Sequence, residues 1–229
     1  GGPKARAGRA QLRELAPAGD PQLRARWQKI AEPAYFTPAF GSFGIPWYGT
    51  AGVFVDNNPY GNRVGTQAGY ILAFPQVALF QDYNSSPTHD FNATFEIGQA
   101  YNLTVGVFGK NTILPGSTLE LSLYYRNDLG DKVTVGSAVV TYSAAAFPGS
   151  TNLNLIDYQV NVGPVQADDA WAGKHIGIQL ESTIPIEMTS GGNWDFDNVR
   201  LTAVPEPTAI TLLGLGWGGL MLGRKRRQV

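Results

Sequence analysis

Two stretches, Tyr101–Phe108 (YNLTVGVF) and Thr118–Tyr125 (TLELSLYY), decide the fold class. In the first, Tyr101, Leu103, Val105 and Val107 alternate with Asn102, Thr104 and Gly106. In the second, Leu119, Leu121, Leu123 and Tyr125 face one way and Glu120, Ser122 and Tyr124 the other. A period of two is the pattern of a strand with one face buried. The intervening NTILPGS has the glycine and proline of a turn.

The same device recurs outward in both directions. GVFV at 52–55, YILAF and VALFQ on either side of Pro75, ATFEI at 93–97, VTVGSAVVTY at 133–142, LIDYQVNV at 155–162, HIGIQLE at 175–181 and WDFDNVRLTA at 194–203 all read as strands. From residue 34 to 203 no helical periodicity runs longer than two turns. About nine or ten short strands separated by Gly, Pro, Asn and Asp turns predict an all-β domain, an antiparallel, jelly-roll-like β-sandwich. The last strand carries an irregularity. Trp194 and Phe196 share one face, whereas Val199 and Leu201 have the opposite parity. A β-bulge near Asn198 would flip the alternation and leave Asp195 and Asp197 projecting together from the other face.

Charge divides the chain into three. Residues 1–33 hold Lys4, Arg6, Arg9, Arg13, Arg24, Arg26 and Lys29 against Glu14, Asp20 and Glu32, a balance of +4. Residues 34–203 carry −8 and the tail from Val204 carries +3. Nucleic acid is not an expected partner of the body, because phosphate binding needs a basic face. Pro and Gly interrupt the opening segment, which is expected to be a flexible basic arm over 1–33. It has no apolar stretch of the signal-peptide kind, so the sequence is expected either to begin inside a longer precursor or to have a mis-assigned start. The chain has no cysteine, which excludes disulfides, thiolate nucleophiles and cysteine-bound metals.

The tail, residues 204–229, combines Pro205-Glu206-Pro207, an uncharged run from Thr208 to Gly223 with five glycines, and Arg224, Lys225, Arg226 and Arg227. As a helix, the 16-residue run would reach about 24 Å, short of the ~30 Å of a hydrocarbon core. Four basic residues after it would stay cytoplasmic and leave the body outside. This combination at the C-terminus resembles the PEP-CTERM sorting signal of Gram-negative bacteria. The resemblance implies export, transient inner-membrane attachment through a short C-terminal apolar helix, and processing near the Pro-Glu-Pro motif by an exosortase. It also implies residence on the cell surface or in the biofilm matrix. The stretches IGQAYNLTVGVFG (97–109), WAGKHIGIQL (171–180) and WDFDNVRLTAVPEP (194–207) are similar to galactose-binding-like jelly rolls and carbohydrate-binding modules. Asp197, Val199 and Leu201 match the D-x-V-x-L closing strand of those domains.

Several residues are candidates for chemistry. Asp195 and Asp197, with Asp168 and Asp169 of VQADDAW, offer hard oxygens to a structural Ca²⁺. Trp47, Tyr48, Tyr60, Tyr124 and Trp171 offer planar rings to sugar C–H faces, although for Trp47 and Trp171 plugging an end of the sandwich is the favoured role. Ser86, His89 and Asp90 lie close in sequence, but neighbours in one loop rarely reach triad geometry and there is no G-x-S-x-G elbow. The sequons at Asn84, Asn92 and Asn102 are ordinary in an Asn- and Thr-rich chain. The leading expectation is a non-enzymatic structural or adhesive β-sandwich. Its alternatives are a module binding exopolysaccharide and a fibre subunit that binds copies of itself.

Overall fold

The computed structural model describes residues 27–36, 45–54, 59–110, 112–148, 153–189 and 191–205. Among these residues ten strands form two five-stranded antiparallel sheets. They are β1 (Gln28–Lys29), β2 (Ala51–Phe54), β3 (Ala68–Leu72), β4 (Ala78–Gln81), β5 (Gln99–Gly109), β6 (Thr118–Arg126), β7 (Lys132–Thr141), β8 (Ile156–Val162), β9 (Gly177–Ser182) and β10 (Asn193–Pro205). Sheet A has the order β1-β4-β9-β6-β7 and sheet B the order β2-β3-β10-β5-β8. The all-β jelly-roll-like sandwich expected from the alternation is the observed fold.

The alternating apolar residues meet between the sheets. Leu119, Leu121, Leu123, Ile178 and Leu180 of sheet A face Leu103, Val105, Val107, Ile71 and Phe196 of sheet B, all fully or almost fully buried. Each such side chain contributes about 1.5–3 kcal/mol when removed from water. Backbone approach is closest at Gly69, where a Cβ would overlap the Phe196 ring, and at Gly177, where it would overlap the Tyr124 ring.

The parity switch in the last strand is a β-bulge. Register with β5 shifts between Asp197 and Arg200, and Asn198 sits at φ +54°, a left-handed conformation that Asn tolerates better than most residues. Its consequence is as expected. Phe196 and Leu201 both point into the core while Asp195 and Asp197 share the outer face of sheet B.

Three expectations are corrected. The sandwich begins before residue 34: β1 pairs with β4, and the Trp27 ring packs edge-on against Phe196 at 5.9 Å. ATFEI is no strand. It makes only single bridges, Thr94 with His175 and Ile97 with Val165, because Phe95 turns inward as a buried plug and Gly98 adopts φ +79°. NTILPGS is a crossing between sheets and not a hairpin turn, since β5 and β6 lie in different layers.

The sandwich has two distinct ends. At one, Leu72 pairs with Asn193 at the start of β10 and its N–H donates to Thr50 O. At the other, Pro205 closes β10 opposite Gln99. The β6–β7 hairpin joins this Pro205 end through an ion pair from Lys174 to Asp128 at 2.8 Å and a bond from Gly173 N to Phe95 O at 2.7 Å.

Candidate functional site

The rings expected to form a sugar platform do not converge. Trp47 begins a 3-10 turn at the Asn193 end, where its Nε1 donates to Ile30 O at 3.3 Å and its ring meets Phe36 at 4.9 Å. Tyr48 beside it is 83% exposed. Trp171 lies half-buried at the Pro205 end, with its Nε1 shielded and without an acceptor. Tyr60 is fully buried, because its loop folds onto sheet B and its hydroxyl donates to Asp195.

Under Trp47 sits a second buried group. The Lys29 ammonium lies 4.2 Å from the Trp47 ring centroid, without a hydrogen-bond acceptor. Burial pulls it down from 10.5 to about 8, with Glu32 opposing. Below pH 8 both folded and unfolded chains carry the proton, so the cost of burying the charge is fully present. Between about 8 and 10.5 the unfolded chain holds more protons, so stability rises with pH. Lys29→Met is expected to stabilise the protein at pH 7 and to flatten that rise, as measured by urea midpoints across pH 7–10.5.

The four carboxylates proposed for calcium are also split. Asp195, wholly buried on sheet B, accepts bonds from Tyr60 and Asn193 and pairs with Lys110 at 3.1 Å. Burial raises its pKa, opposed by those donors. Asp197 accepts the N–H groups of Val64 at 3.1 Å and Asn198 at 2.8 Å. Asp168 is exposed on a loop at the Pro205 end, and Asp169 there accepts Gln166 N at 2.8 Å. Among the described residues no group of three or more His, Asp or Glu could hold a metal ion. The aspartates of β10 are satisfied by a lysine, a phenol, an amide and backbone N–H groups, so the expected calcium set does not form.

Polar and aromatic groups do converge on the outer face of sheet A. Its cross-strand rows run Phe80–Gln179–Ser122–Ser137 and Ala78–Glu181–Glu120–Val139. Tyr124 faces outward, opposite the leucines, as the alternation predicts. It is only 1% exposed, however, because its ring lies over Gly177. Its hydroxyl donates to Asp82 at 2.8 Å, and the Arg126 Nε donates to the same carboxylate oxygen at 2.7 Å. Burial raises the Tyr124 pKa, reinforced by Asp82 and opposed by Arg126. For Arg126, burial acts downward but the Asp82 bond and charge outweigh it. Above these lie the half-exposed groups. Arg126 stands 5.6 Å from the Phe80 ring and Lys132 5.4 Å from the Tyr124 ring. Burial lowers the Lys132 pKa, opposed by Glu181 and Glu120. Glu120 and Glu181 sit directly opposite each other, and like charges in that position are destabilising.

Past the end of this face, Tyr83 is stacked between His89 at 4.1 Å and His175 at 4.0 Å. His89 Nδ1 bonds Tyr83 O at 2.6 Å and Ser86 bonds Thr88 at 2.7 Å, so Ser86 and His89 form no nucleophile–base pair. Of the sorting residues, Pro205 is the last of β10. Glu206, Pro207, Arg224, Lys225, Arg226, Arg227 and the expected apolar helix lie outside the described residues. Among the described residues no helix is long and apolar enough to cross a membrane.

Sequence reasoning missed Phe80, Asp82, Arg126, Gln179 and the Glu120–Glu181 pair. The outward parity of Glu120 and Arg126 was visible, but the partners arrive from β4 and β9.

No protein family and no curated protein matches the sequence. Among solved structures, the chain is similar to a cyclase from Fischerella sp. TAU (19% identity, TM-score 0.48, covering 80% of this chain and 86% of that one). It is similar to the CBM22-1 xylan-binding domain of Paenibacillus barcinonensis Xyn10C (13%, 0.42, 68% and 81%). It is also similar to TmCBM61, solved with β-1,4-galactotriose (14%, 0.40, 79% and 88%). Carbohydrate-binding-module-like jelly rolls are thus among its fold relatives, and the likeness extends to the fold alone. The expectation of a non-enzymatic protein is corrected by the cyclases: this architecture also carries enzymes, and fold does not set activity aside.

Proposed function

We propose that this chain is an exported surface or matrix protein whose sandwich binds neutral polysaccharide across the outer face of sheet A. In this reading residues 204–229 are the sorting signal recognised by an exosortase. The observation that carries the binding site is the Glu120–Glu181 pair, two like charges on directly opposed residues, with Glu181 accepting a bond from Gln179 Nε2 at 2.5 Å, Phe80 in the neighbouring row and Lys132 within electrostatic reach. Sugar hydroxyls donating to these carboxylates would relieve the repulsion, while the Phe80 ring supports a sugar C–H face.

Glu181→Gln separates binding from folding. The expected result is a protein slightly more stable, by a few tenths of a kcal/mol, whose affinity for a panel of neutral xylan, galactan and glucan falls about tenfold. Phe80→Ala is expected to weaken binding by at least as much. If affinity instead follows Trp47→Ala or Trp171→Ala and ignores Glu181 and Phe80, the site is elsewhere. Concentration-dependent polymers without polysaccharide binding would favour the fibre. For the sorting signal, mass spectrometry of the mature protein decides: cytoplasmic protein with Arg224 to Arg227 intact refutes it.

A further inference from the structure

We infer that the Pro205 end of the sandwich is a lipid-contacting surface, seated on the headgroups of the bilayer that holds the uncleaved tail. The inference rests on reading the uncharged run from Thr208 to Gly223 as a membrane segment. Only Glu206 and Pro207 separate the last strand residue from that run. Three residue steps of at most ~3.6 Å give a tether of about 11 Å. The headgroup layer is itself roughly 5–8 Å deep on each side. So short a tether leaves no room for the body to stand away from the membrane, and the end that emits the tail must face it.

That end carries the apolar tips such a contact needs. Leu129 at the β6–β7 hairpin is 87% exposed, Ile97 62% and Val204 56%. The Asp128–Lys174 pair, the Gly173–Phe95 bond and the Gln99–Pro205 pairing tie the three to one end. Exposed carboxylates flank them, at Asp128, Asp131, Glu96 and Asp168, with Lys174 as counter-charge. Such a rim suits a zwitterionic surface and a shallow seat in which only the apolar tips enter the interface. The opposite end also exposes apolar side chains, Tyr48 at 83%, Ile186 at 48% and Leu114 at 42%, but the 13 residues of β10 hold that end roughly 40 Å away, where the tail does not emerge.

The absence of cysteine makes the test direct. Leu129→Cys and Tyr48→Cys, each made in the full chain and labelled with an environment-sensitive fluorophore, are reconstituted in phosphatidylcholine vesicles containing headgroup spin-labelled lipid. The label at 129 is expected to be quenched several-fold more strongly than the label at 48. Equal quenching, or a water-like label at 129 in chain that floats with the vesicles, overturns the lipid contact while leaving the anchor standing. Shielding of residue 129 only in vesicles that carry other membrane proteins assigns this end to a protein partner and likewise overturns it. Failure of the full chain to float at all refutes the membrane segment itself and the inference with it.

Discussion

Trp194→Ala is expected to lower stability by about 3–5 kcal/mol, the range for removing a buried Trp or Phe. Trp194 is fully buried where β10 begins, edge-on to Tyr142 at 6.3 Å and to Phe147 at 6.0 Å. No rearrangement of two flanking rings fills the space of an indole, so a cavity remains and its cost adds to the lost transfer energy. The indole Nε1 is buried without an acceptor, so Trp194→Phe forfeits no hydrogen bond and should cost far less than Ala. Urea unfolding of the three proteins checks this. The Ala midpoint should fall well below that of Phe, with similar slopes. Equal losses would mean that the indole N–H makes a hydrogen bond that Phe cannot replace.

The second large effect is electrostatic. Asp82→Ala should destabilise the protein by about 2–3 kcal/mol, because it strands the Tyr124 hydroxyl and deprives Arg126 of its carboxylate. The loss stops short of that for a fully buried pair, since the Arg126 side chain is 34% exposed and regains water. Tyr124→Phe alone should cost about 1 kcal/mol. Combined with Asp82→Ala it should add little, as the stranded hydroxyl is then gone. A strictly additive double mutant would mean that Tyr124 and Asp82 act independently.

What was legible in the sequence was what alternation encodes. The outward face of Tyr124, the inward leucines and the bulge at Asn198 all follow from parity, and parity survives folding because a one-residue slip would expose the core. Burial of individual outward residues was not legible. Tyr124 is covered because Gly177, fifty-three residues later, lacks a side chain, and Tyr60 is covered because Asp195 draws it inward. Both depend on partners that only the strand order supplies. The same holds for the site: Glu120 is a solvent-side strand residue on its own, and becomes a site only when β9 places Glu181 opposite. The two-residue β1 carries too little pattern to distinguish it from an arm.

The position of β10 also governs when the protein can fold. This last strand lies in the middle of sheet B, between β3 and β5, so β2–β3 and β5–β8 share no backbone ladder until it is inserted. A ribosome would therefore have to release β2 through β10 before sheet B could close. Such pairing between distant segments makes folding slow. Sheet B can thus assemble only once β10 has joined its two halves, so the body stays open until that strand is in place.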